Sequence, residues 1–104
     1  PTTVILNNVK SLAPNLLAPD GSAGIRVTSE PFSATLCRTF GRPVVSTSAN
    51  LSGQLAPALF SEISNEIING VDYVCNTRRD DTTRALPSIV VRINNDGTPI
   101  FLRR

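Results

Sequence analysis

Histidine is absent from all 104 residues, and with it go the commonest general base and most nucleophilic triads. Cysteine is scarce: Cys37 and Cys75 are the only two, too few and too far apart to hold zinc without histidine. Soft-ligand metal chemistry is thereby excluded. Leu36-Cys37 falls in a predicted helix and Val74-Cys75 at a predicted strand end, so both thiols are expected to be free and buried, as in a reducing cytoplasm. Aromatic residues are limited to four Phe and one Tyr, and none interleaves with basic residues as a stacking platform for single strands requires. No apolar run approaches the roughly 18 residues of a membrane span, and the start lacks the charged, apolar, small-residue order of an export signal. The expected compartment is the cytoplasm.

What is present is a weakly charged, mixed-composition chain. The formal net charge is +2, and Lys10 is the single lysine. Six of the ten basic residues follow position 77 (Arg78, Arg79, Arg84, Arg92, Arg103 and Arg104), offset there by Asp80, Asp81 and Asp96. That distribution suits contact with phosphates, and equally a solvated arginine face. With 40% hydrophobic residues, the chain can bury one modest core, so it amounts to one domain or part of one.

Strand and helix signals alternate, which points to an α/β layer architecture. Predicted strands are Thr3 to Leu6, Ala23 to Thr28, Pro43 to Thr47, Asp72 to Cys75, Ser88 to Ile93 and Ile100 to Arg103. A first helix is predicted from an N-cap at Ser29, with Phe32, Leu36, Cys37 and Phe40 inward, to a stop at Gly41. A second runs from about Pro57 or Ala58 to Asn69, with Leu59, Ile63, Ile67 and Phe60 inward, and stops at Gly70. Asn94-Asn95-Asp96-Gly97 contains an Asp-Gly hairpin signal, so the last two strands are expected to be antiparallel. Residues 10–21 read as a loop holding one short helical turn, and Arg78 to Arg84 as a polar surface loop.

The run Val44-Val45-Ser46-Thr47-Ser48-Ala49-Asn50-Leu51-Ser52-Gly53 carries the most information. A strand pattern stops there in small polar residues; Ser46 and Ser48 share one face of an extended chain, and Asn50, Ser52 and Gly53 permit a tight turn whose amides can face an anion. A serine-rich turn after a strand is also an ordinary loop. Taken with four further segments, however, this run resembles the threonylcarbamoyl-AMP synthase family, the YrdC-like domain proteins. Pro1-Thr2-Thr3-Val4-Ile5-Leu6 is similar to the end of the family's proline-glycine-proline strand, and Ala23-Gly24-Ile25-Arg26-Val27 to its glycine-valine-arginine-valine strand. Pro87-Ser88-Ile89-Val90-Val91 is similar to its proline-serine-threonine-valine-valine strand, and Ile100-Phe101-Leu102-Arg103 to its closing arginine strand.

The resemblance spans nearly all of the chain but only the second half of the family's domain. The family's first half carries a threonine-tyrosine-glycine segment and a lysine-x-arginine motif, and neither Tyr73 nor Lys10 stands in such a context. Because Thr3 to Leu6 opens the chain on a β-prone run, residues 1–104 are read as the carboxyl-terminal part of a single YrdC-like domain. The implied fold is a twisted open mixed α/β sheet with flanking helices, incomplete in this piece. The implied reaction joins ATP, L-threonine and bicarbonate into threonylcarbamoyl-adenylate with release of pyrophosphate, for modification of tRNA adenosine 37. ATP enters as a substrate with Mg2+, and no tightly bound cofactor is implied. The piece alone is expected to be inactive.

Residue by residue, the resemblance places Ser22, Ser48 and Arg103 at the nucleotide and Arg26, Ser46 and Ser88 at the threonine, with Asn50 and Gly53 forming the turn. A bidentate guanidinium at Arg26 suits a carboxylate. No acid, base or nucleophile is implied, and no metal ligand among the side chains. The chain departs from the family pattern at Ile89, where threonine is usual, at Ala56, where many relatives offer a hydroxyl, and in the loop 76–85, which lacks the usual glycines. Partners implied are the three substrates and the tRNA threonylcarbamoyl-transfer machinery, with no membrane. An alternative from another class is a double-stranded-RNA-binding, translation-factor-like module without catalysis, which the scarcity of lysine supports poorly. A third is a remnant without ligand, self-associating by strand addition along an exposed Thr3 to Leu6 edge.

Overall fold

A computed structural model describes residues 1–104. The chain forms two compact units, one of residues 1–34 with 87–104 and one of residues 35–86, the division falling inside a helix.

The first unit is a four-stranded mixed sheet. Its strands are β1 (Thr2–Leu6), β2 (Ala23–Ile25), β3 (Ile89–Ile93) and β4 (Pro99–Arg103), in the order β2-β1-β3-β4. β1 and β3 are the runs richest in β-branched residues, which pack well on a pleated surface, and they form the parallel centre, with Thr2 opposite Ile89 and Ile5 opposite Arg92. β2 and β4 flank them antiparallel. The predicted edge along Thr3 to Leu6 is therefore corrected: β1 is paired on both sides, because residues 23–25 and 89–92 return to it from far along the chain. The open edges belong to β2 and β4.

The β3–β4 hairpin forms as the Asp-Gly signal predicts. Asn94 N–H donates to Thr98 O at 2.9 Å and Gly97 N–H to Asn94 O at 2.9 Å, while Gly97 takes φ +86°, a left-handed conformation that other residues enter only with strain. Asp96 Oδ1 accepts the Thr98 N–H at 2.9 Å, closing the turn from the side chain.

Alternation along the paired strands separates two chemistries. One face presents Thr2, Val4, Leu6, Ala23, Ile25, Ile89, Val91, Ile93, Pro99 and Phe101, all apolar except Thr2 at the start of β1. Val91 at its centre is 7% exposed, while Leu6, Ile93 and Phe101 at its rim stay 44–47% exposed. The opposite face carries Thr3, Ile5, Gly24, Val90, Arg92, Ile100 and Arg103.

Helix α1 (Pro31–Phe40) starts one residue later than predicted. Its cap is Glu30, whose carboxylate accepts the amides of Phe32 at 3.1 Å and Ser33 at 2.7 Å; Ser29 lies too early to reach them. The helix ends before Gly41, which takes φ +74° and donates to Cys37 O. The face expected inward is not buried: Phe32, Leu36 and Phe40 are 40–58% exposed.

In the second unit the long predicted helix is broken in two. A 3₁₀ turn, Phe60–Glu62, is followed by extended Ile63 and Ser64, and then by the six-residue α2 (Asn65–Gly70), whose Ile67 and Ile68 amides donate to Ser64 O. Another 3₁₀ turn, Pro14–Leu16, occupies the first unit's loop as expected. Two predicted strands, Pro43 to Thr47 and Asp72 to Cys75, do not form. A strand exists only as a rung of a ladder, and neither segment finds a partner strand; Arg79 takes the carbonyls of Val74 at 2.7 Å and Cys75 at 2.8 Å in place of one. The expectation of two buried thiols is likewise corrected. Both cysteines are free, but Cys37 is half-buried and Cys75 exposed, since residues 72–75 are not covered as a strand would be.

The exposed area measures how little core there is. Two separate folded globules of half this mass would together expose roughly 6,800 Å², whereas the chain exposes 8439 Å² with no side chain fully buried. Gly97→Ala should cost about 1–2 kcal/mol through its forced left-handed backbone, a loss that urea denaturation of the two proteins would read directly.

Candidate functional site

The polar face of the sheet gathers side chains from three adjacent strands. Thr3 Oγ1 on β1 lies 2.8 Å from Ser88 Oγ, just ahead of β3. Arg103 on β4 donates from Nε to Ser88 O at 3.0 Å and from a terminal nitrogen to Ser88 Oγ at 3.3 Å. Ser88 is thus the centre of a Thr–Ser–Arg row, and two residues that the sequence assigned to different substrates meet directly.

Arg103 reaches this row because β4 is irregular. Phe101 pairs with Val91, but Arg103 rather than Leu102 pairs with Val90. Leu102 is therefore an extra residue in a bulge. In an unbroken ladder Leu102 would stand opposite Val90, and Arg103 would turn to the apolar face; the bulge re-aims the guanidinium.

The other side of the same face is closed by Asp20. Its Oδ1 accepts the Ser22 amide at 3.0 Å, and hydrogen bonds from the Ser22 side chain and amide, with Arg92 adding charge, hold its carboxyl below the ordinary 3.8. Ser22 itself is 3% exposed. Its carbonyl accepts the Ala18 amide at 2.9 Å, so the serine assigned to the nucleotide is also the knot of the loop that returns to β2. Arg92 approaches Asp20 Oδ2 at 3.7 Å. Arg26, one residue beyond β2, is exposed, and the alternation of Gly24 carries it to this same face.

In the second unit, Ser46 and Ser48 are exposed on the extended segment 43–48. The turn after them is built by the two residues named for it. Asn50 Nδ2 donates to Leu51 O at 2.9 Å and Gln54 O at 3.1 Å, Gln54 N–H donates to Leu51 O at 3.0 Å, and Gly53 takes φ +83°, the value required at the third position of a type II turn. Two of the late arginines are engaged within the unit: Arg84 pairs with Glu62 at 2.8 Å, and Arg79, besides its carbonyl bonds, lies 5.1 Å over the Phe60 ring. Hydrogen bonding from Arg84 and the Ala58 amide lowers the Glu62 carboxyl.

A family model named Sua5_yciO_yrdC, described as telomere recombination, matches residues 1–104. The chain belongs to this family. It is 33% identical over 96 residues to a Methanocaldococcus jannaschii protein provisionally named a threonylcarbamoyl-AMP synthase, covering 92% of this chain and 43% of that protein. It is 43% identical over 54 residues to the threonylcarbamoyl-AMP synthase of Dichelobacter nodosus, covering 52% and 28%, and 61% identical over 33 residues to that of Serratia proteamaculans, covering 32% and 18%. The chain therefore spans less than half the length of these curated relatives. No solved structure gives a significant match.

Within this Sua5–YciO–YrdC chain, three contributors were not read from sequence: Thr3, Asp20 and Arg92. Thr3 was legible only as a strand residue, since its partner lies 85 positions away. Asp20 had a local signal, the side-chain-to-amide turn of an aspartate two residues before a serine.

Two outcomes follow from this geometry. A Cβ on Gly24 would stand 3.1 Å from Thr3 Cγ2 and 3.4 Å from Ile5 Cδ1; Gly24→Ala should therefore turn Thr3 away from Ser88, seen as a changed Thr3 methyl shift in NMR with the other glycine positions unaffected. Because the Asp20 carboxyl is depressed on folding, its stabilising effect is complete above about 3.8 and is lost as pH falls through the lower folded value. Asp20→Asn should flatten the loss of stability below pH 4, measured as Tm against pH.

Proposed function

We propose that residues 1–104 form the carboxyl-terminal part of a threonylcarbamoyl-AMP synthase domain, working in the cytoplasm on ATP, L-threonine and bicarbonate and supplying the tRNA adenosine-37 modification machinery. The observation that carries the reading is the two-sided sheet. One face is apolar except for Thr2 at the start of β1, and the other lines up Thr3, Ser88 and Arg103 with Arg26 and Arg92. Such a face offers hydroxyls and guanidinium forks to carboxylate and phosphate.

The reaction needs little else from the protein. Threonine nitrogen and bicarbonate combine with loss of water to an N-carboxylated amino acid, whose carboxylate oxygen attacks the α-phosphorus. The bond from that phosphorus to the bridging oxygen breaks, and pyrophosphate leaves with the magnesium that accompanied the triphosphate. Catalysis is then alignment and charge neutralisation. Ser88 and Arg26 orient the threonine carboxylate; Ser46 and Ser48, on the second unit, are the hydroxyls that the family resemblance assigns to threonine and to the nucleotide. Arg103 neutralises phosphate charge, and Ser22 borders the nucleotide. The remaining part of the domain covers the rim of the apolar face and brings the further cations the chain lacks. Double-stranded RNA binding without chemistry is the weaker reading, because Arg79 and Arg84 are spent on internal contacts and Lys10 is the single lysine.

The test is pyrophosphate release from ATP, threonine and bicarbonate. A longer protein carrying this sequence should turn over, and Arg103→Gln in it should lower kcat/KM about tenfold or more, the loss of one charge-assisted hydrogen bond. Turnover unchanged by Arg103→Gln removes the assignment. RNA affinity that falls steeply with salt, without any turnover, replaces it with the RNA reading.

A further inference from the structure

We propose that Arg92 is an additional phosphate-binding residue of this site, braced by Asp20 until a polyphosphate takes the guanidinium over. The inference rests on the nucleotide reading above and adds a residue to it. Arg92 stands opposite Ile5 on one side and Ile100 on the other, so its stem lies between two apolar side chains while its head remains reachable; the side chain is 36% exposed. The register places it on the same face as Arg103, and between Arg103 and the Ser22 loop.

Its hold on Asp20 is loose. At 3.7 Å the pair is a charge contact beyond the usual hydrogen-bond distance, and in such an exposed position an ion pair adds little to stability. Nor does Asp20 depend on it, because the Ser22 amide and hydroxyl already occupy the carboxylate. Arg103, in contrast, is fixed by two bonds to Ser88. Arg92 therefore has donors in a planar fork, no fixed acceptor and a neighbouring guanidinium on the same face, which is the arrangement that a multiply charged phosphate chain relieves. A polyphosphate offers several anionic oxygens to the two guanidinium forks, where a single carboxylate offers only two.

Titrating inorganic tripolyphosphate into the full chain by calorimetry tests the assignment. Arg92→Gln should weaken binding at least tenfold, Arg92→Lys should fall between, since it keeps the charge but loses the fork, and Asp20→Asn should bind as tightly as the parent chain or more tightly. A merely structural brace would make Asp20→Asn as weak as Arg92→Gln, and that result overturns the proposal. So does unaltered binding in Arg92→Gln; if Arg103→Gln nevertheless loses affinity, the nucleotide reading survives and only Arg92 is removed from it. Absence of tripolyphosphate binding in the parent chain overturns the proposal, and absence of ATP binding in the longer protein carrying this sequence overturns the nucleotide reading with it. Circular dichroism of each variant guards against misfolding, and Arg92→Lys provides the decision should Arg92→Gln not fold.

Discussion

The parallel pairing of β1 with β3 is the constraint on which the rest of this sheet depends. Strands 85 residues apart in sequence cannot meet by a tight turn, and closing a loop of that length costs about 4 kcal/mol in chain entropy on the logarithmic scaling alone. The return is the placement of Thr3 against Ser88 at 2.8 Å and of the Ile89 amide on Pro1 O at 2.9 Å. β2 and β4 attach to this pair antiparallel, by shorter connections. If β1 and β3 separate, the row loses Thr3 and only Ser88 and Arg103 remain together.

Once that pairing is set, the pleat sorts the chemistry. Every second residue of β1 and β3 goes to a face centred on Val91 that is apolar apart from Thr2, and the others go to a mixed face where Thr3 and Arg92 stand beside Ile5 and Val90. Neither face alone makes a site. The apolar one supplies the free energy that keeps the strands in register, and the polar one can then hold hydroxyls and cations in fixed positions without water-driven collapse. The large exposed area shows how incompletely the apolar face is used in these 104 residues, in keeping with relatives more than twice as long.

Much of this was legible in sequence where the signal is local. The β-branched runs gave three of the four strands within a residue or two, Asp96-Gly97 gave the hairpin, and Gly53 and Gly41 marked turns whose φ only glycine adopts readily. What could not be read is what requires a partner. Residues 43–47 and 72–75 have strand composition but no rung to join, and the helix predicted through Ser64 yields to an extended backbone there. Glu30 outcompeted Ser29 as a cap through its longer reach. For the candidate site, the segments were recognisable as a family pattern and the Asp20–Ser22 turn is local, yet the bulge that turns Arg103 toward Ser88, and the approach of Arg92 to Asp20, belong to three-dimensional register and leave no mark in the order of residues.

Leu102 gives that register a further meaning. As the unpaired residue between Phe101 and Arg103, it is the one position in β4 whose removal keeps the parity of the strand. Without it, Arg103 would follow Phe101 directly and still stand opposite Val90. A residue lost or gained between Pro99 and Phe101, however, would exchange the two faces for everything beyond it. The hairpin thus contains one tolerant position among intolerant neighbours, and length variation among descendants of this sequence should collect at 102.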